Sequence, residues 1–161
     1  MILDDVGKFE KADKMLREAR KGYEIAFKQE HLHTPKAQSG RAPLSWAAGN
    51  GYHTVVDRLL TKDNMDPNLK DSQSGQTPLS WASRNGEETV IKLLLKTGKV
   101  DADSKDKGGW TPLSWASRNG EETAVKLLLE TGKVDADSKD NDGRTPLWWA
   151  AQWGHVTLKP L

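Results

Sequence analysis

The chain has 161 residues, a formal net charge of +1, 35 % hydrophobic and 29 % charged residues, and no cysteine. That length suits one compact domain or a short solenoid with an appendage; the near-neutral charge argues against nucleic acid as partner; and without cysteine there is no disulfide framework, thiolate nucleophile or thiolate metal site. No apolar run approaches the roughly 20 residues of a membrane span, and the opening MILDDVGKFEKADK carries acids where a signal peptide needs positive charge, so an intracellular protein is expected, in the cytoplasm or, as the alternative, the nucleus.

In chain order, Phe9, Ala12, Leu16, Ala19, Tyr23 and Phe27 recur at helical spacing, with Lys, Arg and Glu on the other face, which predicts a long helix over 8–30. The run Gly7-Lys8-Phe9-Glu10-Lys11-Ala12, then Leu16 and Ala19, then Gly22-Tyr23-Glu24 and Glu30-His31, resembles the second helix of a tetratricopeptide repeat of the kinesin-light-chain kind, with half a unit present. Residues 1–33 are read as this helical segment, shielding the first unit of the repetitive region, and 34–40 as a linker by composition.

The rest is repetitive. Thr77-Pro78-Leu79-Ser80-Trp81-Ala82 recurs at Thr111 to Ala116 and, as Thr145-Pro146-Leu147-Trp148-Trp149-Ala150, at steps of 34 residues; a looser copy runs from Ala42 to Ala47. Segments 77–110 and 111–144 differ at six positions. Thr77 is a good N-cap and Pro78 suits the first helical position, where its missing N–H costs nothing. This short helix is expected to end near Asn85-Gly86. Glu87 and Glu88 open a second helix at the positive end of its dipole, Val90, Ile91, Leu94 and Leu95 form its apolar face, and Gly98 ends it. Lys99 to Trp110 reads as a polar loop or hairpin. Helices this short need stacked neighbours.

Thr-Pro-Leu-x-x-Ala, then Gly, then the Val-Ile-x-x-Leu-Leu run and a glycine turn resembles the ankyrin repeat, over residues 41–161. Ser80 and Ser114 stand where that family usually has His, and Trp46, Trp81, Trp115 and Trp149 where it usually has Leu; the period exceeds the usual one by a residue near Asp103-Ser104. The Ser-Trp, Gly-Lys-Val-Asp variety resembles the 34-residue ankyrin arrays common in fungal proteins, often fused to nucleotide-binding sensor modules. The resemblance implies an all-α solenoid of helix-turn-helix units, about 41–75, 76–109, 110–143 and a truncated 144–161. In that last unit Val156 and Leu158 begin a second helix that Pro160 stops, so apolar surface near Leu147 and Trp149 is expected to be poorly covered and to favour self-association.

Catalytic and metal chemistry finds no constellation. Asp101 and Asp103 begin a calcium-like loop, but Lys105 and Pro112 occupy ligand positions. His31, His33, His53 and His155 lack the i, i+4 pairing of a helical zinc site. No nucleophile elbow or phosphate-cradling loop occurs. No cofactor, metal or catalytic residue is expected.

The resemblance therefore implies a non-catalytic module that binds a protein on the concave face formed by loop tips and first helices. Candidate contacts are Lys107, Trp110 and Arg144 in the loops, and Arg84, Asn85, Arg118, Asn119, Gln152 and Trp153 at the first-helix ends. Trp46, Trp81, Trp115 and Trp149 keep register and are read as packing; Trp110 and Trp153 break it and suit hot spots, although Trp153 and Trp148 could instead fold over the chain's end. Alternatives are tryptophan-lined binding of a glycan or other flat small molecule, and a structural spacer within a larger sensor or scaffold.

Overall fold

The computed structural model describes residues 41–62 and 65–155. The expected helix over 8–30, the linker 34–40 and the aborted helix at Val156 to Pro160 lie outside the described residues.

Seven α-helices and no strand occur among the described residues. The short first helices are α1 (Pro43–Gly49), α3 (Pro78–Arg84), α5 (Pro112–Asn119) and α7 (Pro146–Gln152), and the second helices are α2 (His53–Leu60), α4 (Glu88–Lys96) and α6 (Glu122–Glu130). First helices stack on first helices, second on second, and α1, α3 and α5 each pack on the second helix of their own unit. The loop between units is a set of turns.

Local chemistry sets these boundaries. Pro occupies the first turn of every first helix. The Thr77, Thr111 and Thr145 hydroxyls accept the backbone N–H three residues on. Ser80 and Ser114 also pair hydroxyl to hydroxyl with Thr77 and Thr111, at 3.0 and 3.1 Å. Helix α1 departs from this pattern. Its N-cap is Ala42, which offers no side-chain cap, and the buried Ser45 hydroxyl has no partner.

The core is a column of Leu44, Leu79 and Leu113 from first helices against Val56, Val90, Ile91, Leu94, Val125 and Leu128 from second helices, all buried. Ala47, Ala82, Ala116 and Ala150, one in each first helix, are buried as well. Helices α3 and α5 each lie between two first helices, whereas α7 has α5 as its first-helix neighbour among the described residues. Leu147 is accordingly 51 % exposed where Leu79 and Leu113 are 0 % and 2 %.

Units are also joined outside the core. Gly86 and Gly120 adopt φ of +69° and +72°, a left-handed conformation that favours glycine. The Glu121 carboxylate packs on Gly86 and the His155 imidazole on Gly120, in the space a Cβ would take.

Candidate functional site

The turns before α3, α5 and α7 each carry an aspartate that closes the turn and holds the edge of that helix's tryptophan. Asp71 Oδ1 accepts the Gln73 and Ser74 N–H at 3.0 and 2.6 Å; its Oδ2 accepts the Ser74 hydroxyl, the Gln76 N–H and the Trp81 indole N–H at 2.7, 3.1 and 3.1 Å. Asp106 Oδ1 accepts the Gly108 and Trp110 N–H, and its Oδ2 the Trp115 indole, all at 2.9 Å. Asp140 Oδ1 accepts the Asp142 and Arg144 N–H at 2.9 Å, and its Oδ2 the Trp149 indole at 2.8 Å. Burial opposes the charge on Asp71, but hydrogen bonds from Ser74, Trp81 and Gln76 together outweigh it and lower its pKa.

With their edges pinned, the indoles carry arginines on their rings. The Arg41 guanidinium carbon lies 3.4 Å from the Trp81 ring centroid. Arg84 lies 5.2 Å from Trp81 and 4.6 Å from Trp115. Arg118 lies 5.8 Å from Trp115, 5.5 Å from Trp110 and 5.3 Å from Trp153. Arg144 lies 5.1 Å from Trp149 and 4.6 Å from Trp148. Trp110 bridges Trp115 and Trp149 at 4.6 and 4.2 Å, and Trp148 meets Trp149 edge-on at 4.9 Å. Four guanidiniums and six indoles thus form one continuous row. Trp46 is not part of it and tilts against Tyr52 at 5.2 Å. Each cation–π contact contributes about 0.5–2 kcal/mol, more as water is excluded.

The row carries both signs of charge, its guanidiniums set against the carboxylates of Asp71, Asp106 and Asp140 on the same indoles. The three turn aspartates are turned inward and occupied by N–H donors. Arg144 lies 3.4 Å from Asp142, whereas Arg84 and Arg118 have no carboxylate in ion-pair reach among the described residues. Arg41 has its pKa lowered by burial first and by the charge of Arg84, with Asp71 opposing.

Of the residues expected from sequence, Arg84, Arg118, Arg144, Trp110 and Trp153 meet in this row. Gln152 is exposed at the end of α7. Lys107 stitches one turn to the turn before it, its Nζ donating to the Ser72 carbonyl at 2.7 Å and its N–H to Ser74 at 2.9 Å. Asn85 and Asn119 donate to the Gly49 and Arg84 carbonyls of the preceding unit at 2.6 and 2.7 Å. Sequence reasoning missed Arg41 and the three aspartates. A signal was present, an aspartate ten, nine and nine residues before Trp81, Trp115 and Trp149. The calcium-like stretch is a short turn in which Asp101 accepts the Asp103 N–H, and in the equivalent loop one repeat later Asp135 accepts the Asp137 N–H. Among the described residues no group of acidic and histidine side chains could hold a metal ion, and no helix is long and apolar enough to cross a membrane.

A family model described as ankyrin repeats (3 copies) matches residues 10–106 and 90–159. No curated protein matches the chain. Among solved structures, the chain is similar to one in the crystal structure of the yeast ribosomal protein Rps3 in complex with its chaperone Yar1, with a TM-score of 0.67, 25 % identity, and coverage of 77 % of this chain and 91 % of that one.

Proposed function

Because the chain belongs to the ankyrin-repeat family, whose repeats serve generally as protein-interaction modules, we propose that it binds another protein on the concave face of its stack and carries out no chemistry of its own. The observation that carries this reading is the row of half-buried arginines on indoles, Arg84-Trp115-Arg118-Trp110 at its centre. Trp and Arg are the side chains most enriched where binding energy concentrates, and here their rotamers are already fixed, which lowers the entropic cost of association. The similar solved structure is a chaperone complex, which further supports a protein partner.

The contact set comprises Arg84, Asn85, Lys107, Trp110, Arg118, Asn119, Arg144, Gln152 and Trp153. The indoles that would stack on a glycan already carry guanidiniums, which disfavours the sugar-binding alternative. Leu147 and Trp148, both exposed and outside that contact set, offer apolar surface suited to self-association of an intracellular module.

A photo-cross-linking residue at Lys107 or Gln152 tests the main reading against one at Lys92 or Lys126 on the second helices. Capture of the same protein from the first pair alone is the expected result; equal capture from both pairs, or from the second alone, refutes it.

A further inference from the structure

We propose that Asn85-Gly86 and Asn119-Gly120 are sites of spontaneous deamidation, and that the reaction at either one undoes the joints between its unit and both neighbours. The reaction concerns the stack itself and does not depend on what the concave face binds.

Asparagine is among the thermolabile residues, and a following glycine, having no side chain, leaves the attacking nitrogen unhindered. The glycine main-chain nitrogen attacks the asparagine Cγ. The side-chain nitrogen leaves as ammonia, taking up the proton of the glycine N–H, and a cyclic succinimide remains. Water then opens the ring at one carbonyl to give aspartate, or at the other to give isoaspartate, whose main chain runs through Cβ and Cγ. The Gly86 and Gly120 N–H groups are loosely held, reaching the Ser83 and Ser117 carbonyls at 3.4 and 3.3 Å. Both asparagines are exposed, so water has access to the ring.

The place of these dipeptides in the stack makes the product consequential. Toward the preceding unit, Asn85 Nδ2 donates to the Gly49 carbonyl at 2.6 Å and Asn119 Nδ2 to the Arg84 carbonyl at 2.7 Å. A carboxylate has no proton to donate and sets oxygen against oxygen there. Toward the following unit, the Glu121 carboxylate and the His155 imidazole sit where a Cβ of Gly86 and Gly120 would lie. Isoaspartate lengthens the main chain by one atom just before that glycine and displaces the seat. Asn50-Gly51 differs, because its amide donates to the Trp46 carbonyl of its own helix at 2.8 Å and so ties no earlier unit.

The fold also sets the rates. Residues 77–89 and 111–123 are identical, so the two sites share their local chemistry. The side chain must leave its carbonyl before Cγ can meet the glycine nitrogen. The Asn85 bond is partly shielded from water and the Asn119 bond is exposed, and exposed bonds open at lower cost. Asn119 is therefore the faster site in the folded chain.

The test incubates the full chain at mildly alkaline pH, folded and in guanidinium chloride, and follows tryptic segments 85–92 and 119–126 by mass spectrometry against an unincubated control. Methyl transfer by an isoaspartate methyltransferase counts the isoaspartate. In denaturant the two sites should convert at equal rates. In the folded chain both should slow, Asn85 at least threefold more than Asn119. The isoaspartate-bearing fraction should melt below the parent by circular dichroism, and Asn119→Asp should melt below Asn50→Asp. Equal rates at the two sites in the folded chain, faster conversion of Asn85, rates unchanged by folding, or parent-like melting of the isoaspartate-bearing fraction overturns the proposal.

Discussion

Trp115 and Asp106 form a paired unit, the indole N–H donating to Asp106 Oδ2 at 2.9 Å while Asp106 Oδ1 takes two backbone N–H groups of its own turn. One carboxylate thereby fixes both the turn and the edge of the ring on which the arginines lie. Asp106→Ala leaves three donors without their acceptor and should cost about 2–3 kcal/mol in urea unfolding. Asp106→Asn should not restore stability, because its NH2 must face one of those donors. Parent-like stability of Asp106→Asn would show that the pairing contributes little.

Tryptophans in the row should differ sharply in what they stabilise. Trp81 is 8 % exposed and Trp153 56 %. Trp81→Ala should cost about 3–5 kcal/mol, the range for emptying a large buried site. Trp153→Ala should stay within about 0.5 kcal/mol of the parent. Thermal unfolding followed at far-ultraviolet wavelengths measures both, and similar losses would contradict the burial pattern.

Helix α1 can be improved. Ala42→Thr supplies the hydroxyl that α3, α5 and α7 possess and gives Ser45 Oγ its missing partner. It should stabilise by about 1 kcal/mol, and Ser45→Ala in that background should remove part of the gain. No rise in melting temperature would show that α1 does not limit unfolding.

Gly86→Ala meets two obstacles, a left-handed φ of +69° and the Glu121 carboxylate. The conformational part should cost about 1–2 kcal/mol. The steric part should vanish in a Glu121→Ala background, so the two substitutions should be non-additive. Additive losses would mean that Glu121 moves aside freely.

Two carboxylates should pull stability in opposite directions with pH. The lowered pKa of Asp71 means that its contribution is present above its unfolded value of about 4 and is lost as pH falls through the folded value. Glu87 has its pKa raised, first by burial and then by the charge of Glu121, so its contribution is present at low pH and lost as pH rises through the folded value. Glu87→Gln should therefore melt higher than the parent at neutral pH and converge with it near pH 4. A gap that widened on acidification would reverse the sign of this reading.

Much of the architecture was legible in the residues. Thr77-Pro78 and its copies mark real helix starts with the threonine hydroxyl as cap, and the Val90-Ile91-Leu94 face is the buried one. The arginine–indole row was only half legible. Arg84, Arg118, Arg144, Trp110 and Trp153 stood out through variation between copies, but that criterion cannot reveal Asp106 and Asp140, which are identical in role and position. An aspartate in a Lys- and Gly-rich loop also reads as solvated unless the indole nine residues on is known to fold back over it. Arg41 escaped because it precedes the copy whose cap is Ala42. Asn85 and Asn119 occupy first-helix ends as expected, yet their amides bind carbonyls of the preceding unit, a partnership across 36 and 35 residues that no local pattern encodes.

The close approach of Trp110 to Trp115 and Trp149 also has an optical consequence. At centroid separations of 4.6 and 4.2 Å the transition dipoles of neighbouring rings couple strongly. Excitation of one chromophore is shared with the others before emission, and the ultraviolet dichroism of the folded chain should carry split bands of opposite sign that disappear on unfolding. Tryptophan emission from this protein reports on the array as a collective, so a wavelength shift or a loss of polarisation cannot be assigned to one ring by removing that ring alone.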